Sequence, residues 1–249
     1  MEDVLIVEGK SISKHFGSLR AVDNVDLKVS KGIIHSIIGP NGAGKTTLFN
    51  LLTGFIGVTS GEIFFKGENI TNLPPYIISK KGVARSFQIT SIFPDLSVHE
   101  NVRIAAQSRE RQSYNFLKHF NRLKEASEKA DEVLEFIRLI EKREVISKNL
   151  SYGENRILDI GIALATNPEV ILLDEPMSGL PLGDLQWLMR LVEEISKTLT
   201  VILIDHNIDL VIGISHMITV LNQGSVIAEG RPDEIQKNEK VQEAYLGGY

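Results

Sequence analysis

The residues best suited to chemistry form a turn between two apolar segments. Residues 33–38 predict a buried strand, and residues 48–52 predict the start of a helix. The turn between them has the spacing Gly-x-x-x-x-Gly-Lys-Thr and consists of Gly39, Pro40, Asn41, Gly42, Ala43, Gly44, Lys45, Thr46 and Thr47. Glycines let the backbone approach an anion closely, and the amides at a helix N-terminus attract phosphate. The pattern predicts a phosphate-binding loop, and a glycine-rich turn without a ligand is the alternative.

Within this loop, two side chains are expected to act on a nucleotide. Lys45 would bring a full positive charge to the β- and γ-phosphates. The Thr46 hydroxyl would reach a Mg²⁺ ion that bridges the same phosphates.

Two acidic residues follow another buried strand further along the chain. The apolar run of residues 170–173 ends in Asp174 and Glu175. Ligands of wound α/β sheets bind at the carboxyl ends of the strands, so both carboxylates are expected beside the phosphates. Asp174 is predicted to hold Mg²⁺, directly or through its water shell, and Glu175 to accept a proton from the attacking water or to orient it. Solvated acids that cap a strand are the alternative interpretation.

Two other side chains are candidates for nucleotide binding because of their positions in the sequence. His206 follows the buried strand predicted for residues 200–204 and is a candidate donor to the γ-phosphate, although a histidine in such a place is more often structural. Phe16 is predicted in a loop shortly before the phosphate-binding loop. Its ring would stack on adenine there, and packing in the core is the alternative.

The elements that must position these residues alternate between strands and helices, which predicts a mainly parallel, wound sheet. Strands predicted for residues 4–7, 25–29 and 62–67 indicate a small antiparallel sheet beside it. Residues 96–150 have a helical pattern. There Ser97 and Glu100 predict a capping box, and apolar residues recur every three or four positions from Leu123 to Ile140. For residues 109–122 the pattern favours neither a loop nor a second helix.

Composition limits the classes of function. The 249 residues are 43% hydrophobic, enough for a packed core, and their net charge of −5 argues against a broad nucleic-acid-binding face. Absence of cysteine excludes disulfides and thiolate chemistry. No apolar run reaches the roughly 20 residues that span a bilayer, and the N-terminus does not resemble a signal peptide. We therefore expect a soluble cytoplasmic protein, attached to a membrane only through a partner.

The order of these motifs resembles that of an ABC transporter ATP-binding subunit over nearly the whole chain. After the phosphate-binding loop come Gln88, the segment 150–154 (Leu-Ser-Tyr-Gly-Glu), Asp174-Glu175 and His206. Segment 150–154 is the most specific match, because other phosphate-loop ATPases lack it. The resemblance implies an α/β phosphate-loop NTPase (RecA-like) core with a small antiparallel β-subdomain and an inserted α-helical subdomain. It divides a single ABC ATPase domain into a core of residues 1–88 and 151–249 and a helical subdomain of residues 89–150.

The resemblance also implies roles for residues. Phe16 would stack on adenine, residues 39–47 would wrap the triphosphate, and His206 would be the switch histidine. Gln88 would sense Mg²⁺ and link the core to the helical subdomain. Ser151 and Gly153 would contact the γ-phosphate of ATP held by another subunit. The implied assembly is a head-to-tail pair that encloses two ATP molecules.

Three departures from the family pattern stand out. The signature segment has Tyr152 where a small residue is usual and Glu154 where glutamine is usual. Pro181 replaces an aspartate in the loop after Glu175, and Asp205 precedes the histidine where glutamate is frequent. The signature and Pro181 are similar to the subgroup that serves branched-chain amino acid uptake. Further similarities to that subgroup are Phe87-Gln88, residues 96–101 and the tail 244–247.

The resulting hypothesis is an ATP-hydrolysing subunit of a membrane importer for branched-chain or related hydrophobic amino acids. Its cofactors would be ATP and Mg²⁺. Its partners would be a second ATP-binding subunit, identical or different, transmembrane permease subunits and an extracytoplasmic substrate-binding protein, with no nucleic acid. It would lie on the cytoplasmic face of the cell membrane. The alternatives are an ABC subunit for another cargo such as urea or a lipid, a soluble ABC protein of DNA repair or translation, and a nucleotide-binding regulatory module without turnover.

Overall fold

The computed structural model describes residues 4–86, 92–108 and 116–246, and the strands in these ranges form two sheets. In chain order the strands are β1 (Leu5–Phe16), β2 (Leu19–Ser30), β3 (Ile34–Ile38), β4 (Ser60–Phe65), β5 (Glu68–Asn69), β6 (Val83–Arg85), β7 (Val170–Asp174), β8 (Thr200–Ile204), β9 (Met217–Asn222) and β10 (Ser225–Gly230). Both predicted kinds of sheet, the wound parallel sheet and the small antiparallel one, are therefore present.

Helices connect the strands and cover the larger sheet. They are α1 (Lys45–Leu52), α2 (Pro75–Lys81), α3 (Val98–Gln107), α4 (Phe116–Phe136), α5 (Tyr152–Ala165), α6 (Leu182–Ser196), α7 (Ile208–Ile214), α8 (Pro232–Gln236) and α9 (Glu239–Leu246). None of the helices in the described ranges combines the length and the apolar character that crossing a bilayer would require.

The larger sheet has the strand order β10-β9-β3-β8-β7-β6, and all neighbouring pairs are parallel except β9 and β10. All residues of β3, β7 and β8 are buried, as expected for parallel strands covered on both faces. The three strands lie side by side. Their carboxyl ends therefore bring the phosphate-binding loop, Asp174 and Asp205-His206 to the same edge of the sheet.

The smaller sheet is antiparallel, with the order β2-β1-β4-β5. Strand β1 pairs with β2 on one side and with β4 on the other, and its register shifts near Ser11, which has a φ of 48°. The prediction that Phe16 lies in a loop is wrong, because β1 continues through this bulge to Phe16. The bulge interrupts the alternation of apolar and polar residues, so the pattern did not reveal the second half of the strand.

Helix α1 is packed between the two sheets. Alternate residues of β7, Val170 and Leu172, belong to the apolar cluster that contains Phe49 of α1 and the inner residues of the smaller sheet. Their neighbours Ile171 and Leu173 belong to the opposite cluster, which contains α3, α4, α5 and α6. The helix that follows the phosphate-binding loop is thus held on both sides, and this fixes the position of its N-terminus.

The predicted helical region contains α3 and α4, which pack on each other and on α5. The apolar stripe of α4 is confirmed, because Ala126, Ala130 and Val133 are buried. The helix ends at Phe136, so Ile140 lies beyond it. Residues 116–122 belong to α4, whereas residues 109–115 lie outside the described residues.

The helix cap predicted at the start of α3 is only partly correct. The Ser97 hydroxyl accepts a hydrogen bond from the Glu100 amide at 3.1 Å, as expected for an N-cap. The Glu100 carboxylate does not complete the capping box, because it accepts hydrogen bonds from the Arg103 guanidinium at 3.0 and 2.5 Å. Competition from a cation one turn away accounts for the difference.

A buried histidine lies in the middle of the larger sheet. His35 in β3 is 0% exposed, and its Nε2 lies 2.8 Å from the Thr219 hydroxyl oxygen. That hydroxyl donates to Glu229 at 2.7 Å, so the neutral imidazole must donate from Nε2 and leave Nδ1 unprotonated. His35 Nδ1 is buried and has no hydrogen-bond partner among the described residues. Burial accordingly lowers the pKa of His35 to about 4.

We expect His35 to make folding stability depend on pH. An unfolded histidine binds a proton near pH 6.5, whereas folded His35 resists protonation until about pH 4. Its contribution is therefore complete above pH 6.5 and is lost as the pH falls towards 4, by about 3 kcal/mol. Urea unfolding of His35→Gln across this range should show a shallower loss of unfolding free energy than wild type. A slope in His35→Gln equal to that of wild type would contradict the assignment.

Candidate active site

A cleft of about 510 Å³ lies above the N-terminus of α1. Its walls include most of the predicted phosphate-binding loop together with one of the two acids. The lining residues are Leu19, Arg20, Ala21, Asn41, Gly42, Ala43, Gly44, Lys45, Thr46, Thr47, Glu175 and Gln223. Sequence positions more than 120 residues apart thus meet in one cavity, and it opens onto a helix N-terminus, which favours an anionic ligand.

Backbone geometry explains why the loop needs glycine. Gly44 caps α1 with a φ of 101°, a left-handed conformation that residues with a Cβ avoid. A Cβ atom at this position would also lie 2.3 Å from the Ala21 carbonyl oxygen, on β2. The loop can therefore pass close to the smaller sheet and still turn its amides towards the cleft.

Lys45 is held against the loop from within. Its ammonium group donates to the carbonyl oxygens of Gly39 at 2.7 Å and Pro40 at 3.0 Å, and the residue is buried. Burial lowers the pKa of Lys45, whereas the nearby charges of Glu175 and Asp174 act in the opposite direction. The structure therefore brings Lys45 and both acids into electrostatic contact, with the cation positioned at the base of the loop.

Glu175 has an uncommon backbone conformation. Its φ is 48°, and its amide donates to the Ile204 carbonyl oxygen of β8 at 2.8 Å. A left-handed residue that is not glycine stores strain, a common property of functional sites. The imidazole Nδ1 of His206 lies 3.8 Å from Glu175 Oε2 and 3.9 Å from Asp205 Oδ1. His206 is exposed and thus lies beside Glu175 at the edge of the sheet.

Asp174 is 2% exposed and forms an ion pair that the sequence interpretation missed. The Arg85 guanidinium donates to Asp174 Oδ2 at 2.7 Å and to Asn50 Oδ1 at 2.6 Å. The only sign of this ion pair in the sequence was a single arginine, Arg85, at the end of an apolar strand. Its partner could be identified only once β6 and β7 were known to be neighbours.

Ser151 and Gly153 do not line the cleft. Ser151 caps α5 through a full capping box: its hydroxyl accepts from the Glu154 amide at 3.3 Å, and Glu154 accepts from the Ser151 amide at 2.9 Å. The side chain of Lys142 also donates to Glu154, and this hydrogen bond is the main reason that the pKa of Glu154 is lowered. Glutamate in place of the usual glutamine is thereby explained. None of residues 150–154 of this chain is among those that line the cleft.

Comparison with protein-family models matches residues 22–178 to the family described as ABC transporter. A second family model, described as branched-chain amino acid ATP-binding cassette transporter, matches residues 225–249. The chain belongs to the ABC transporter ATP-binding family. It is therefore an ATPase that binds nucleotide, and this confirms the fold class and the enzyme class that the motifs predicted.

Relatives of this ABC ATPase cover nearly its full length. A high-affinity branched-chain amino acid transport ATP-binding protein of Pseudomonas aeruginosa is 41% identical, over 97% of this chain and 98% of the relative. A protein of the same description from Escherichia coli is 40% identical, over 99% of this chain and 98% of the relative. A probable branched-chain amino acid transport ATP-binding protein of Methanocaldococcus jannaschii is 36% identical, over 99% and 100% of the two chains.

Solved structures similar to this ABC ATPase include three ATP-binding cassettes, each in a different state. A nucleotide-free cassette has a TM-score of 0.86 and 33% identity, covering 97% of this chain and 98% of that one. A cassette in its ADP conformation has the same score and identity, with coverage of 98% and 99%. A dimeric cassette in a post-hydrolysis state, bound to ADP and Pi, has a TM-score of 0.78 and 26% identity, with coverage of 91% and 99%.

The predicted metal ligands of the ABC ATPase have suitable chemistry. Asp174 offers a carboxylate and Thr46 a hydroxyl, and Mg²⁺ prefers oxygen ligands, usually one or two protein groups together with substrate phosphates. The residues present therefore fit Mg²⁺. Gln88, the third predicted metal contact, lies outside the described residues.

Phe16 of the ABC ATPase is near the cleft without lining it. The side chain is 49% exposed at the end of β1, and the Lys14 ammonium lies 5.2 Å from its ring centroid. Across the turn, Leu19 and Arg20 of β2 do line the cleft. The exposed ring excludes the alternative that Phe16 is a core residue, and adenine stacking stays a prediction.

The unusual Tyr152 of the ABC ATPase signature contacts the loop that leads to Pro181. The Tyr152 hydroxyl donates to the Ser178 carbonyl oxygen at 3.3 Å and accepts from the Arg156 guanidinium at 3.0 Å. A Cβ atom at Gly153 would lie 2.6 Å from an Asp184 carboxylate oxygen. Tyr152 thus ties the signature to the loop after Glu175, the same loop in which proline replaces the usual aspartate.

The C-terminal helix contributes a residue that sequence reasoning did not connect with the nucleotide site. Tyr245 in α9 lies close enough to the phosphate-binding loop for the Gly39 backbone to influence its titration, and burial raises the pKa of Tyr245 to about 12. Tyr245 therefore packs against the apolar core near the backbone of Gly39, the first residue of the loop. The sequence signal was only the tail's similarity to one family subgroup.

Proposed function

We propose that this ABC ATPase energises the uptake of branched-chain amino acids. The observation that carries ATP hydrolysis is the meeting of Lys45, Thr46 and Glu175 in one cleft. The cargo is supported by the family-model match of residues 225–249 and by the names of the full-length relatives. The residues of the cleft support ATP hydrolysis, and the relatives support branched-chain amino acids as the transported substrate.

In the proposed mechanism, the loop amides and Lys45 bind the triphosphate, and Phe16 stacks on adenine. Thr46, Asp174 and Gln88 would hold Mg²⁺, and the ion would supply positive charge that neutralises the phosphates. Glu175 accepts a proton from water as the water oxygen bonds to the γ-phosphorus and the bond from that phosphorus to the ADP oxygen breaks. His206, beside Glu175, donates a hydrogen bond to the γ-phosphate.

We infer that two cassettes, identical or different, bind ATP between them in a head-to-tail arrangement. The support is that Ser151 and Gly153 lie outside their own chain's cleft, and that Ser151 is exposed at the N-terminus of α5. The partial positive charge of that helix end favours a phosphate on the partner. ATP would close the pair, and hydrolysis would reopen it.

Ser151 provides a test that separates this role from helix capping. Ser151→Ala removes the cap and Ser151→Asp keeps it, because serine and aspartate cap helices about equally well. We expect both variants to lower ATPase turnover, by about 100-fold or more, the size measured for losing one donor to transition-state charge. Melting temperature should fall only for Ser151→Ala. Full turnover by either variant, or by a strict monomer, would contradict the paired mechanism.

The proposed membrane partners follow from the transporter relatives. Residues 89–150 would form a helical subdomain that docks on a cytoplasmic loop of permease subunits, while residues 1–88 and 151–249 form the core. Attachment to the cytoplasmic face of the membrane would depend on that contact. A substrate-binding protein outside the membrane would deliver the amino acid to the permease.

The cargo hypothesis can be tested in membranes. A photo-crosslinker at the exposed residue Phe93 should link the chain to a permease subunit that mass spectrometry can identify. Cells without the chain should lose leucine, isoleucine and valine uptake and regain it with wild type but not with Glu175→Gln. Normal branched-chain amino acid uptake together with lost urea or lipid transport would replace the cargo assignment and leave the ATPase assignment intact.

A further inference from the structure

Arg85 is a charged residue in the apolar edge strand β6, and its side chain is only 8% exposed. In the parallel pair of β6 and β7, Arg85 lies opposite Leu172. Side chains alternate along a strand, so Leu172 and Asp174 point to the same face of the sheet. Leu172 packs in the cluster around α1. The Arg85 side chain therefore reaches Asp174 on the face that α1 covers.

The guanidinium is fixed from several directions. It donates to Asp174 Oδ2 at 2.7 Å and to Asn50 Oδ1 at 2.6 Å. Its central carbon lies 5.7 Å from the centroid of the Phe49 ring and 5.6 Å from that of the Phe55 ring. Because a guanidinium is planar and its donors have fixed directions, these contacts define its orientation. The group acts as a rigid link and not only as a counter-charge.

This link joins the two elements that carry the predicted metal ligands. Asn50 lies four residues after Thr46 in α1, so the two side chains occupy the same face of the helix one turn apart. Asp174 is the last residue of β7. One arginine thus connects the helix that carries Thr46 with the strand that carries Asp174.

We propose that Arg85 is a positioning residue for the Mg²⁺ site: its bonds to Asn50 and Asp174 set the spacing between Thr46 and Asp174. The proposal rests on the metal-binding role given to these two ligands under the proposed function. Without Arg85, the carboxylate of Asp174 would be buried beside α1 without this neutralising partner, a costly arrangement. It would be free to turn towards Lys45, whose charge already interacts with it.

The test compares Arg85→Gln, which removes the charge, with Arg85→Lys, which keeps the charge but lacks the fork. Two quantities are measured: the Mg²⁺ concentration for half-maximal ATPase activity, and the affinity for a fluorescent ATP analogue with Mg²⁺ and with EDTA. We expect Arg85→Gln to raise the half-maximal Mg²⁺ concentration by about 10- to 100-fold, the range seen when groups that orient metal ligands are removed. The affinity of Arg85→Gln for the ATP analogue in EDTA should match that of wild type. Arg85→Lys should raise the half-maximal Mg²⁺ concentration by a smaller factor than Arg85→Gln does.

A control is Arg103→Gln, because Arg103 forms a more exposed ion pair with Glu100 on α3, and neither residue lines the cleft. It should leave the Mg²⁺ dependence unchanged. If Arg85→Gln does not fold, Asn50→Ala removes the second anchor of the guanidinium and keeps its ion pair. This variant should raise the Mg²⁺ requirement in the same direction by a smaller factor.

Unchanged Mg²⁺ dependence in Arg85→Gln, or in both Arg85→Lys and Asn50→Ala, would overturn the proposal even if stability falls. An equal loss of affinity in Mg²⁺ and in EDTA would overturn it as well, since this pattern reports a general structural role. Asp174→Asn separates the two levels of inference. If that variant also keeps the wild-type Mg²⁺ dependence, the metal-site assignment fails, and not merely the role of Arg85.

Discussion

Replacing Glu175 by glutamine should lower the ATP turnover number by about 100- to 10,000-fold, the usual contribution of a general base. Glutamine preserves the shape of the side chain and its position beside His206, but its amide cannot take a proton from water. ATP should still bind, because Lys45 and the loop amides are unchanged. Phosphate release at saturating ATP measures the first effect, and a fluorescent ATP analogue measures the second.

The same Glu175 substitution should stabilise an ATP-bound pair, since closure is expected to require ATP and reopening to require its hydrolysis. Size-exclusion chromatography with light scattering should show a nucleotide-dependent dimer for Glu175→Gln and a weaker one for wild type. Glu169→Gln is a suitable control, because Glu169 forms an exposed ion pair with Lys66 just before β7. Turnover near wild type in Glu175→Gln would exclude Glu175 as the base.

Replacing Lys45 by alanine should weaken ATP binding by about 10- to 100-fold, which corresponds to the 1.5–3 kcal/mol typical of hydrogen bonds to charged groups. The ammonium already points into the loop through Gly39 and Pro40, so ATP need only draw it towards the phosphates. Equilibrium dialysis with ATP and with ADP should show a greater loss for ATP, because Lys45 is expected to reach the γ-phosphate.

Two controls accompany the Lys45 measurement. Lys197→Ala removes an exposed lysine that pairs with Glu194 on α6, and it should leave ATP affinity unchanged. Thermal unfolding of Lys45→Ala should show whether the Gly39 and Pro40 carbonyls, left without this donor, destabilise the loop. If Lys45→Ala binds ATP as tightly as wild type, residues 39–47 are not the loop that binds the phosphates of ATP.

Much of the site was predictable because its signals are local. The strand, turn and helix around residues 39–47 follow from the spacing of glycines, the apolar run before them and the helical run after them. Asp174 and Glu175 are recognisable for a similar reason, since a buried parallel strand must end at the ligand-binding edge of a wound sheet. The structure places β3 and β7 on either side of β8, with their carboxyl ends at the same edge of the sheet, as that reasoning requires.

Features that depend on pairing between distant segments were not predictable. Phe16 was expected in a loop because a bulge near Ser11 breaks the alternation of β1, and only β2 and β4 reveal that the strand continues. Arg85 has no local pattern, and its role depends on the neighbouring strand β7. Tyr245 lies about 200 residues from the loop it packs against, so no spacing rule could connect them.

Some departures from the family pattern have a physical explanation in the fold. Glu154 can replace glutamine because its carboxylate completes the capping box and accepts a hydrogen bond from Lys142. Tyr152 has a structural partner in Ser178, two residues past Pro176 in the loop that leads to Pro181. Nothing in the structure explains Asp205 where glutamate is frequent.

The left-handed backbone at Glu175 has a consequence for stability. Such a conformation costs most residues about 1–2 kcal/mol, whereas glycine adopts it freely. Glu175→Gly would therefore relieve backbone strain and favour the folded state, but it would remove the proposed base. The left-handed backbone at Glu175 is therefore a cost to stability, and the proposed role of its carboxylate as a base accounts for an acid at a position where glycine would be less strained.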